Sequence, residues 1–442
     1  MTKINTLKSF KSKSLNGIIN VPGDKSISQR ALIFASLCFG SVKIRGLLES
    51  QDVLHTLNSL RELGIKIELN KDLCKVFGNG GVFTTPKKNL NFGNSGTGAR
   101  LMMGMLASRG ITATFEGDQS LSKRPMLRVL NPLERFGVKF KHSDGKLPVT
   151  IEKNELLIPC SINLKLGSAQ VKSAVLLAAL NINGKTEIND FLPSRDHTEI
   201  LLKYLGADIQ VKSSKKKNII TINGPVILER KDIDIPGDFS SAAFIIVAVT
   251  LCKNSEVIIK SLGVNFFRTG LLDILEKMNA KITVIEKWEK NGEQIADLKI
   301  NSSNLIGCKI GGEISTRAID EYPILFVAAS YADGCTEFTD LEELKFKESD
   351  RLSVMAEALQ KSGVKIKLGK NSIKIYGQKN QKGGVNIKTY DDHRIAMSMI
   401  IFGLVSEKPI TIDQTKMIET SFPDFAGLMK KLGAKIDYVQ KP

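Results

Sequence analysis

The segments VPGDKSISQRALIFASLC (residues 21–38) and IPGDFSSAAFIIVAVTLC (residues 235–252) are near duplicates, and they decide the fold. In each of them a polar loop leads into a stretch that is apolar on nearly every side, which is typical of a buried helix. Similar starts recur along the chain at intervals of about seventy residues, a spacing that indicates an internal repeat. The six starts lie near Ser26, Thr97, Ser168, Ser240, Asp320 and Asp392.

A second signature accompanies every start: a short amphipathic helix that ends at Gly, or once at Asn279, and runs into a strand. Gly and Asn are favoured there because they adopt the left-handed conformation that closes a helix. With the β-rich runs between the helices, each repeat is predicted to be βαβαββ. The six copies are LRELGIKIEL (60–69), LERFGVKF (133–140), LKYLGADIQV (202–211), LEKMNAKITV (275–284), LQKSGVKIKL (359–368) and MKKLGAKIDYV (429–439).

The predicted fold is therefore α/β (α+β), with two domains of three repeats each around buried helices. The two near duplicates are three repeats apart, so the first domain is expected to be 22–235 and the second 1–21 plus 236–442. A chain of 442 residues exceeds the roughly 250–300 residues that one core supports, which also favours two domains.

One interval in the repeat is longer than the others, and it follows the start near Ser240. The segment EKWEKNGEQIADLKI (286–300) lies within it. We interpret this segment as an insertion that forms a hairpin.

The chain has 63 Lys and Arg against 46 Asp and Glu, a net charge of +17, which suggests anionic partners. Aromatic residues are only 6% of the chain and are not interleaved with the basic ones, so nucleic acid is not the expected partner. The lysines are scattered apart from a run at 215–217, interpreted as a solvated loop. Most of the excess is therefore expected to be surface charge.

Compartment and metal content are also indicated by composition. No apolar stretch approaches the roughly 18 residues that span a bilayer, and the first twenty residues lack the apolar core of a secretory signal. The six cysteines are scattered without a CxxC pair, which is typical of reduced thiols in a cytosol. A cytoplasmic protein without disulfides, metal or membrane contact is expected, and the four dispersed histidines agree with this.

Polar residues concentrate where the predicted buried helices begin. Helix N-termini carry unsatisfied N–H groups and partial positive charge, which suits phosphate and carboxylate. Each Ser or Asp taken singly is explained as well by capping, but caps do not require Lys, Gln or Arg one turn further on. The candidates at these starts are Lys25, Ser26, Arg30, Asn94, Thr97, Arg100, Ser168, Gln170, Asp320, His393 and Arg394.

Arginine has the same distribution: seven of the fourteen lie at these starts or in neighbouring motifs. Its planar fork holds carboxylate or phosphate through two hydrogen bonds, so a multiply charged ligand is indicated. Surface ion pairs are the alternative for each residue singly. The seven are Arg30, Arg100, Arg124, Arg128, Arg195, Arg351 and Arg394.

Two carboxylates, Asp320 and Glu348, lie among these cations and have no obvious role in binding anions. Proton transfer is the favoured interpretation. Helix capping is the alternative for Asp320, and an ion pair with a flanking lysine is the alternative for Glu348. Lys25 is the third candidate for acid–base work, because surrounding positive charge lowers the pKa of a lysine.

The ordered motifs resemble those of the 5-enolpyruvylshikimate-3-phosphate (EPSP) synthase family, with GSAQVKSA and SRDHTE similar to the subgroup called class II. The resemblance covers nearly the whole chain. The motifs are VPGDKSISQR, FGNSGTGAR, LSKRPM, GSAQVKSA, SRDHTE, IDEYP, KESDRL and DDHRIAM, followed by SFPDF. The resemblance implies an enolpyruvyl transferase fold, an inverse α/β barrel in each domain, with the active site in the cleft between the domains.

The reaction that the resemblance implies joins two small anions without a cofactor. The 5-hydroxyl of shikimate 3-phosphate attacks the central carbon of phosphoenolpyruvate, and the tetrahedral intermediate then loses phosphate. Asp320 would take the hydroxyl proton, while Glu348 and Lys25 would manage the methylene proton. Shikimate 3-phosphate would be held by Lys25, Ser26, Arg30, Ser168, Ala169, Gln170, Arg195, Asp320 and Lys347. Phosphoenolpyruvate would be held by Lys25, Gly96, Arg124, Gln170, Arg351 and Arg394.

Four positions bear on how closely the family pattern is followed. Ala169 stands where many members have a second Ser, Glu343 where others place an Asn, and Thr420 where many carry a Lys. Those side-chain contacts are left in doubt. Gly96 keeps the small residue beside the phosphoenolpyruvate site where insensitive members have Ala, so inhibition by glyphosate is expected.

Two other functions fit parts of the pattern. UDP-N-acetylglucosamine enolpyruvyl transferase shares the phosphoenolpyruvate chemistry. Resemblance to that family would include a loop with a reactive Cys, and no Cys occurs here between Cys74 and Cys160. An RNA 3′-phosphate cyclase-like enzyme would explain the repeats and the positive charge. We expect instead a monomer that acts on two small anions.

Overall fold

The computed structural model describes residues 6–71, 73–154, 156–165, 167–214 and 217–439. Lys215 and Lys216, two of the three residues of the lysine run, lie outside the described residues. The chain divides into two compact units. Unit 1 comprises Met1–Pro22, Pro236–Trp288 and Gln294–Pro442; unit 2 comprises Gly23–Ile235 and Glu289–Glu293.

Fourteen α-helices are present in the described part of the chain. They are α1 (Lys25–Leu37), α2 (Gln51–Glu62), α3 (Gly96–Ala107), α4 (Gln119–Ser122), α5 (Leu127–Glu134), α6 (Ala169–Ala179), α7 (His197–Tyr204), α8 (Phe239–Leu251), α9 (Gly270–Lys277), α10 (Glu313–Arg317), α11 (Tyr322–Ser330), α12 (Arg351–Lys361), α13 (His393–Gly403) and α14 (Phe425–Lys431). Short 3₁₀ helices occur at Phe266–Arg268, Glu342–Phe346 and Thr415–Thr420.

The strands are short, apart from the pair that forms the expected hairpin. They are β1 (Thr6–Phe10), β2 (Asn16–Asn20), β3 (Phe39–Arg45), β4 (Lys66–Asn70), β5 (Leu73–Asn79), β6 (Leu90–Asn91), β7 (Ala113–Glu116), β8 (Phe140–Ser143), β9 (Lys146–Ile151), β10 (Ser161–Leu164), β11 (Gly184–Asp190), β12 (Ile209–Ser213), β13 (Asn218–Gly224), β14 (Ile233–Asp234), β15 (Glu256–Gly263), β16 (Lys281–Lys290), β17 (Glu293–Asn301), β18 (Lys309–Ile310), β19 (Gly334–Phe338), β20 (Lys365–Leu368), β21 (Ile373–Gly377), β22 (Asn386–Ile387), β23 (Ile410–Ile412) and β24 (Lys435–Val439).

The strands form six four-stranded sheets, one for each predicted repeat. In unit 2 the strand orders are β14-β3-β5-β4, β6-β7-β9-β8 and β10-β11-β13-β12. In unit 1 they are β16-β17-β15-β2, β18-β19-β21-β20 and β22-β23-β1-β24. One edge strand of each sheet is parallel to its neighbour, which pairs antiparallel with the next strand. The predicted α/β fold class is confirmed.

The segment before Pro22 supplies strands to two sheets of unit 1. Strand β1 pairs with β23 and β24, and β2 pairs with β15. In the sheet β22-β23-β1-β24, β1 occupies the third place, which in the other sheets belongs to a strand of the local repeat. Residues far apart in sequence therefore complete one sheet.

Each unit has its own hydrophobic core, to which its three apolar helices contribute. In unit 2 these are α1, α3 and α6, and in unit 1 they are α8, α11 and α13. Every residue of α8 from Phe239 to Thr250 is buried, as expected for a helix without a polar face. Among the described residues, no helix combines the length and apolar character that crossing a bilayer requires.

Five of the six buried helices begin within one residue of the predicted start. The exception is α11, which begins later. Helix α11 starts at Tyr322 rather than at Asp320, and Glu321 precedes it without a side-chain cap. Pro323 lies in the first turn, where its missing N–H costs nothing and its fixed φ suits a helix. Asp320 therefore lies in the preceding turn and does not cap the helix.

Candidate active site

In unit 2, the start of α1 brings Lys25 next to the first turn of α2. The Asp24 carboxylate accepts a hydrogen bond from the Ile27 N–H at 2.8 Å and caps α1. Lys25 Nζ lies 2.9 Å from Asp52 Oδ2, and the two side chains are 19% and 12% exposed. Asp52 therefore holds the ammonium in place while leaving part of it accessible.

Arg30, one turn further along α1, is buried and hydrogen-bonded on three sides. Its Nε donates to Thr198 Oγ1 at 2.8 Å, Nη2 to Ser173 Oγ at 2.7 Å, and Nη1 to the Ser26 carbonyl at 3.0 Å. Burial lowers the pKa of Arg30 to about 10, although Glu199 and Asp24 oppose that effect. The guanidinium is thus fixed by two hydroxyls and a backbone carbonyl.

The starts of α3 and α6 are joined through Gln170. Its amide donates to Thr97 Oγ1 at 2.8 Å and accepts from Arg100 Nη1 at 2.5 Å. Arg100 also donates to the Pro125 carbonyl at 3.2 Å. Three predicted site residues therefore form one hydrogen-bonded chain.

Arg124 lies beside the start of α3. Its guanidinium donates to Asn94 Oδ1 and, at 3.3 Å, to Ser120 Oγ. A Cβ atom built on Gly96 would lie 3.3 Å from Arg124 Nη1 and 3.4 Å from Arg100 Nη1. A methyl group at this position would crowd Arg124 and would touch Arg100.

The remaining predicted residues of unit 2 lie at the starts of α6 and α7. Ser168 caps α6, its hydroxyl accepting from the Val171 N–H at 3.5 Å, and Ala169 is the first helical residue. Arg195 is partly buried in the loop before α7. Unit 2 therefore brings its predicted residues together at neighbouring helix starts.

In unit 1, Asp320 is surrounded by cations. Its Oδ1 lies 3.1 Å from Lys347 Nζ and 3.7 Å from Arg351 Nη1. The Asp320 carbonyl accepts a hydrogen bond from Arg394 Nη1 at 2.8 Å. The carboxylate is 14% exposed, so solvent and a ligand can reach it.

Arg351 is 1% exposed and is held by two carboxylates. Its Nε donates to Asp392 Oδ2 at 2.8 Å, and its Nη2 lies 2.5 Å from Glu348 Oε2. Burial alone would lower the pKa of Arg351, but Asp392 and Glu348 raise it above its usual value. Glu348 is thus paired with Arg351, while the flanking Lys347 contacts Asp320.

Asp392 performs three tasks at the start of α13. It caps the helix by accepting from the Arg394 N–H at 2.9 Å, receives Arg351, and accepts from Ser349 Oγ at 3.0 Å. Burial would raise the pKa of Asp392, but attraction to Arg351 outweighs it and the pKa is lowered. His393, the next residue, is buried.

Glu321 is fully buried between two helix starts. Its Oε1 accepts from Ser240 Oγ at 2.5 Å and lies 3.6 Å from Arg394 Nη1. It therefore orients the arginine that the family pattern assigns to phosphoenolpyruvate.

Several side chains that fix these groups were not among the predicted site residues. Their partners are distant in sequence, so only tertiary structure reveals them. The clearest signals available were the acidic first turn of α2 and the second Asp of the DDHR motif. The missed residues are Asp52, Ser173, Thr198, Glu321 and Asp392.

Two of the departures from the family pattern can be located. Glu343 is partly buried in the 3₁₀ helix Glu342–Phe346. Thr420 is buried, and its hydroxyl donates to the Met417 carbonyl at 2.7 Å. The Thr420 hydroxyl is therefore bonded to its own turn.

Repeats of this kind, with cations fixed at the starts of their buried helices, define an enolpyruvyl transferase fold. The enolpyruvyl transferase NikO from Streptomyces tendae has the same fold, with a TM-score of 0.79 at 18% identity, covering 99% of this chain and 100% of that one.

The chain belongs to the EPSP synthase (3-phosphoshikimate 1-carboxyvinyltransferase) family, whose model matches residues 10–429. A 3-phosphoshikimate 1-carboxyvinyltransferase from Bartonella quintana is 45% identical over 441 residues, covering 99% of this chain and all of that protein. The EPSP synthase structure from Acinetobacter baumannii has a TM-score of 0.88 and 37% identity, covering 99% of this chain and 100% of that one. The predicted family and transferase activity are confirmed, and neither alternative function is favoured.

Proposed function

We propose that the residue sets of the two units together bind shikimate 3-phosphate and phosphoenolpyruvate and carry the proton transfers of 1-carboxyvinyl transfer. The observation that carries this proposal is that cations at the helix starts are held in fixed positions by acceptors of the protein itself. Preorganised charge of this kind stabilises anionic transition states without reorganisation during the reaction. Joint action of the two sets in an interdomain cleft remains a prediction.

On this proposal shikimate 3-phosphate is held mainly by unit 2. Hydroxyl, amide and guanidinium groups at adjacent helix starts suit a phosphate on a polyhydroxylated ring. Main-chain contact is all that Ala169 can offer. The assigned residues are Lys25, Ser26, Arg30, Ser168, Ala169, Gln170 and Arg195, with Asp320 and Lys347 from unit 1.

Phosphoenolpyruvate carries both a phosphate and a carboxylate, and each suits the planar fork of an arginine. Arg351 and Arg394 are both tied to Asp320 or its backbone, which supports a shared task. The assigned residues are Lys25, Gly96, Arg124, Gln170, Arg351 and Arg394. Asn94, Thr97, Arg100 and His393 support them.

The proton steps are assigned to Asp320, Glu348 and Lys25. Asp320 accepts the proton of the 5-hydroxyl as its oxygen bonds to the central carbon of phosphoenolpyruvate. Glu348, with Lys25, donates a proton to the methylene carbon, which becomes a methyl group. The same groups remove a methyl proton as the carbon–oxygen bond to phosphate breaks, and phosphate leaves.

Phosphate release by the purified protein tests the reaction. With shikimate 3-phosphate and phosphoenolpyruvate together, we expect release of phosphate in step with formation of the enolpyruvyl ether. With either substrate alone, none is expected. Equal release from phosphoenolpyruvate alone would contradict the proposal, as would activity on RNA 3′-phosphate ends that depends on Arg394.

Gly96→Ala is expected to weaken inhibition by glyphosate about tenfold or more, because the new methyl group crowds Arg124, a residue assigned to phosphoenolpyruvate. Inhibition of the unchanged enzyme should be competitive with phosphoenolpyruvate. The measurement is the inhibition constant of each protein at several phosphoenolpyruvate concentrations. The KM for shikimate 3-phosphate serves as the internal control and should stay within about twofold. An unchanged inhibition constant would contradict the placement of Gly96.

We also propose a cytoplasmic monomer. Support for the cytoplasmic compartment comes from the six free cysteines, of which Cys38, Cys74 and Cys252 are buried. Burial raises the pKa of all three thiols, so they are protonated packing residues. Light scattering coupled to size exclusion tests the monomer, and cell fractionation tests the compartment.

A further inference from the structure

A buried lysine outside the predicted site joins three segments of unit 2. Lys172, in α6, is 1% exposed. Its Nζ lies 2.7 Å from Glu199 Oε1, 3.3 Å from Asp190 Oδ2 and 3.0 Å from the Ser194 carbonyl. The ammonium donates a hydrogen bond to the Ser194 carbonyl and forms ion pairs with both carboxylates.

The three segments are those that carry the proposed shikimate 3-phosphate residues. Helix α6 begins with Ala169 and Gln170, one turn before Lys172. Ser194 directly precedes Arg195 in the chain. Glu199 directly follows Thr198, whose hydroxyl accepts from Arg30 Nε at 2.8 Å. A displacement at Lys172 would therefore be transmitted to several proposed contacts of one substrate.

The buried negative charges of this cluster outnumber the positive charge. Two buried carboxylates face one ammonium, and burial raises the pKa of Glu199 and of Asp190 even though Lys172 opposes the effect. Burial would lower the pKa of Lys172, but Glu199 and Asp190 raise it, so the lysine is charged at neutral pH. Apolar residues would fill such a site at less cost, so the arrangement calls for an explanation beyond stability.

We propose that Lys172, Asp190 and Glu199 form a positioning cluster that sets the geometry of the shikimate 3-phosphate half of the site. This inference rests on the proposed function. The cluster does not touch substrate: it fixes the α6 start, the loop with Arg195, and the α7 start that holds Arg30. Its removal therefore acts mainly on the binding of shikimate 3-phosphate, because Gln170 is the one residue on these segments that is also assigned to phosphoenolpyruvate.

Lys172→Met tests the proposal, because methionine fills the space of the lysine stem without its charge. We expect the KM for shikimate 3-phosphate to rise about tenfold or more, since small displacements of binding groups have large effects. The KM for phosphoenolpyruvate should stay within about twofold. Lys203→Met, at an exposed lysine on α7, is the matched control and should leave both KM values unchanged.

Glu199→Gln is the second variant, and it decides the question if Lys172→Met does not fold. Glutamine keeps the shape and one acceptor oxygen, so a smaller rise confined to the same KM is expected. Wild-type KM values for shikimate 3-phosphate in a folded variant would overturn the proposal, and so would equal rises for both substrates. Failure of the proposed function itself is distinguishable, because the unchanged enzyme would then release no phosphate.

Discussion

Asp320→Asn is expected to lower kcat by about 10²–10⁴-fold, the range for loss of a positioned general base. Asparagine preserves the size of the side chain. It also preserves the hydrogen bond from Arg394 Nη1 to the backbone carbonyl of residue 320 at 2.8 Å, but its side chain cannot accept the 5-hydroxyl proton. The KM values should change far less than kcat, because the surrounding cations remain. Steady-state kinetics with both substrates measures the effect.

The matched control for this substitution is Asp333→Asn, at an exposed aspartate of the same unit. It should leave kcat unchanged. Full activity in Asp320→Asn would remove Asp320 from the proton-transfer steps and leave it a binding role only. An equal loss in both variants would point to a general effect on the fold.

Asp392→Ala is expected to lower the free energy of unfolding by about 3 kcal/mol or more, because Arg351 is 1% exposed and loses its principal partner. Loss of the α13 cap adds about 1 kcal/mol. Urea denaturation measures the change. Asp350→Ala, which removes a cap from α12 without exposing a buried arginine, should cost only the smaller amount.

The same aspartate gives a pH dependence of known sign. Because Arg351 lowers the pKa of Asp392 in the folded protein, its contribution to stability is present above the unfolded value of about 3.9. That contribution is lost as the pH falls through the lower, folded value. The stability difference between the unchanged protein and Asp392→Asn should therefore stay constant from pH 7 to about pH 4 and narrow as the pH falls further. A constant difference would contradict the ion pair.

The repeat could be predicted because its signals are local. A helix without a polar face, such as α8, must be buried wherever it lies, and a Gly cap marks where its neighbour ends. Helix α11 begins two residues after the predicted start because Pro323 favours the first turn of a helix, which leaves Asp320 in the preceding turn. Local chemistry therefore predicts the starts of the buried helices to within one or two residues.

The partners of the site residues could not be predicted in the same way. Asp52 is 27 positions from Lys25, and Asp392 is 41 positions from Arg351. Thr198 is 168 positions from Arg30. Nothing in the spacing identifies such pairs, since they depend on which helix starts become neighbours. The pair between Glu348 and Arg351 is the exception, because residues three apart are neighbours on one turn.

The place of β1 in the sheet β22-β23-β1-β24 has a consequence during synthesis on the ribosome. Thr6 pairs with Val439, so the first described strand must wait until nearly the whole chain has been made. At about 5–20 residues per second, this delay is roughly 20–90 s. The three sheets of unit 2 need no such wait, because all their strands lie between residues 39 and 234. The middle of the chain can therefore fold first, while β1 stays unpaired until β23 and β24 have been made.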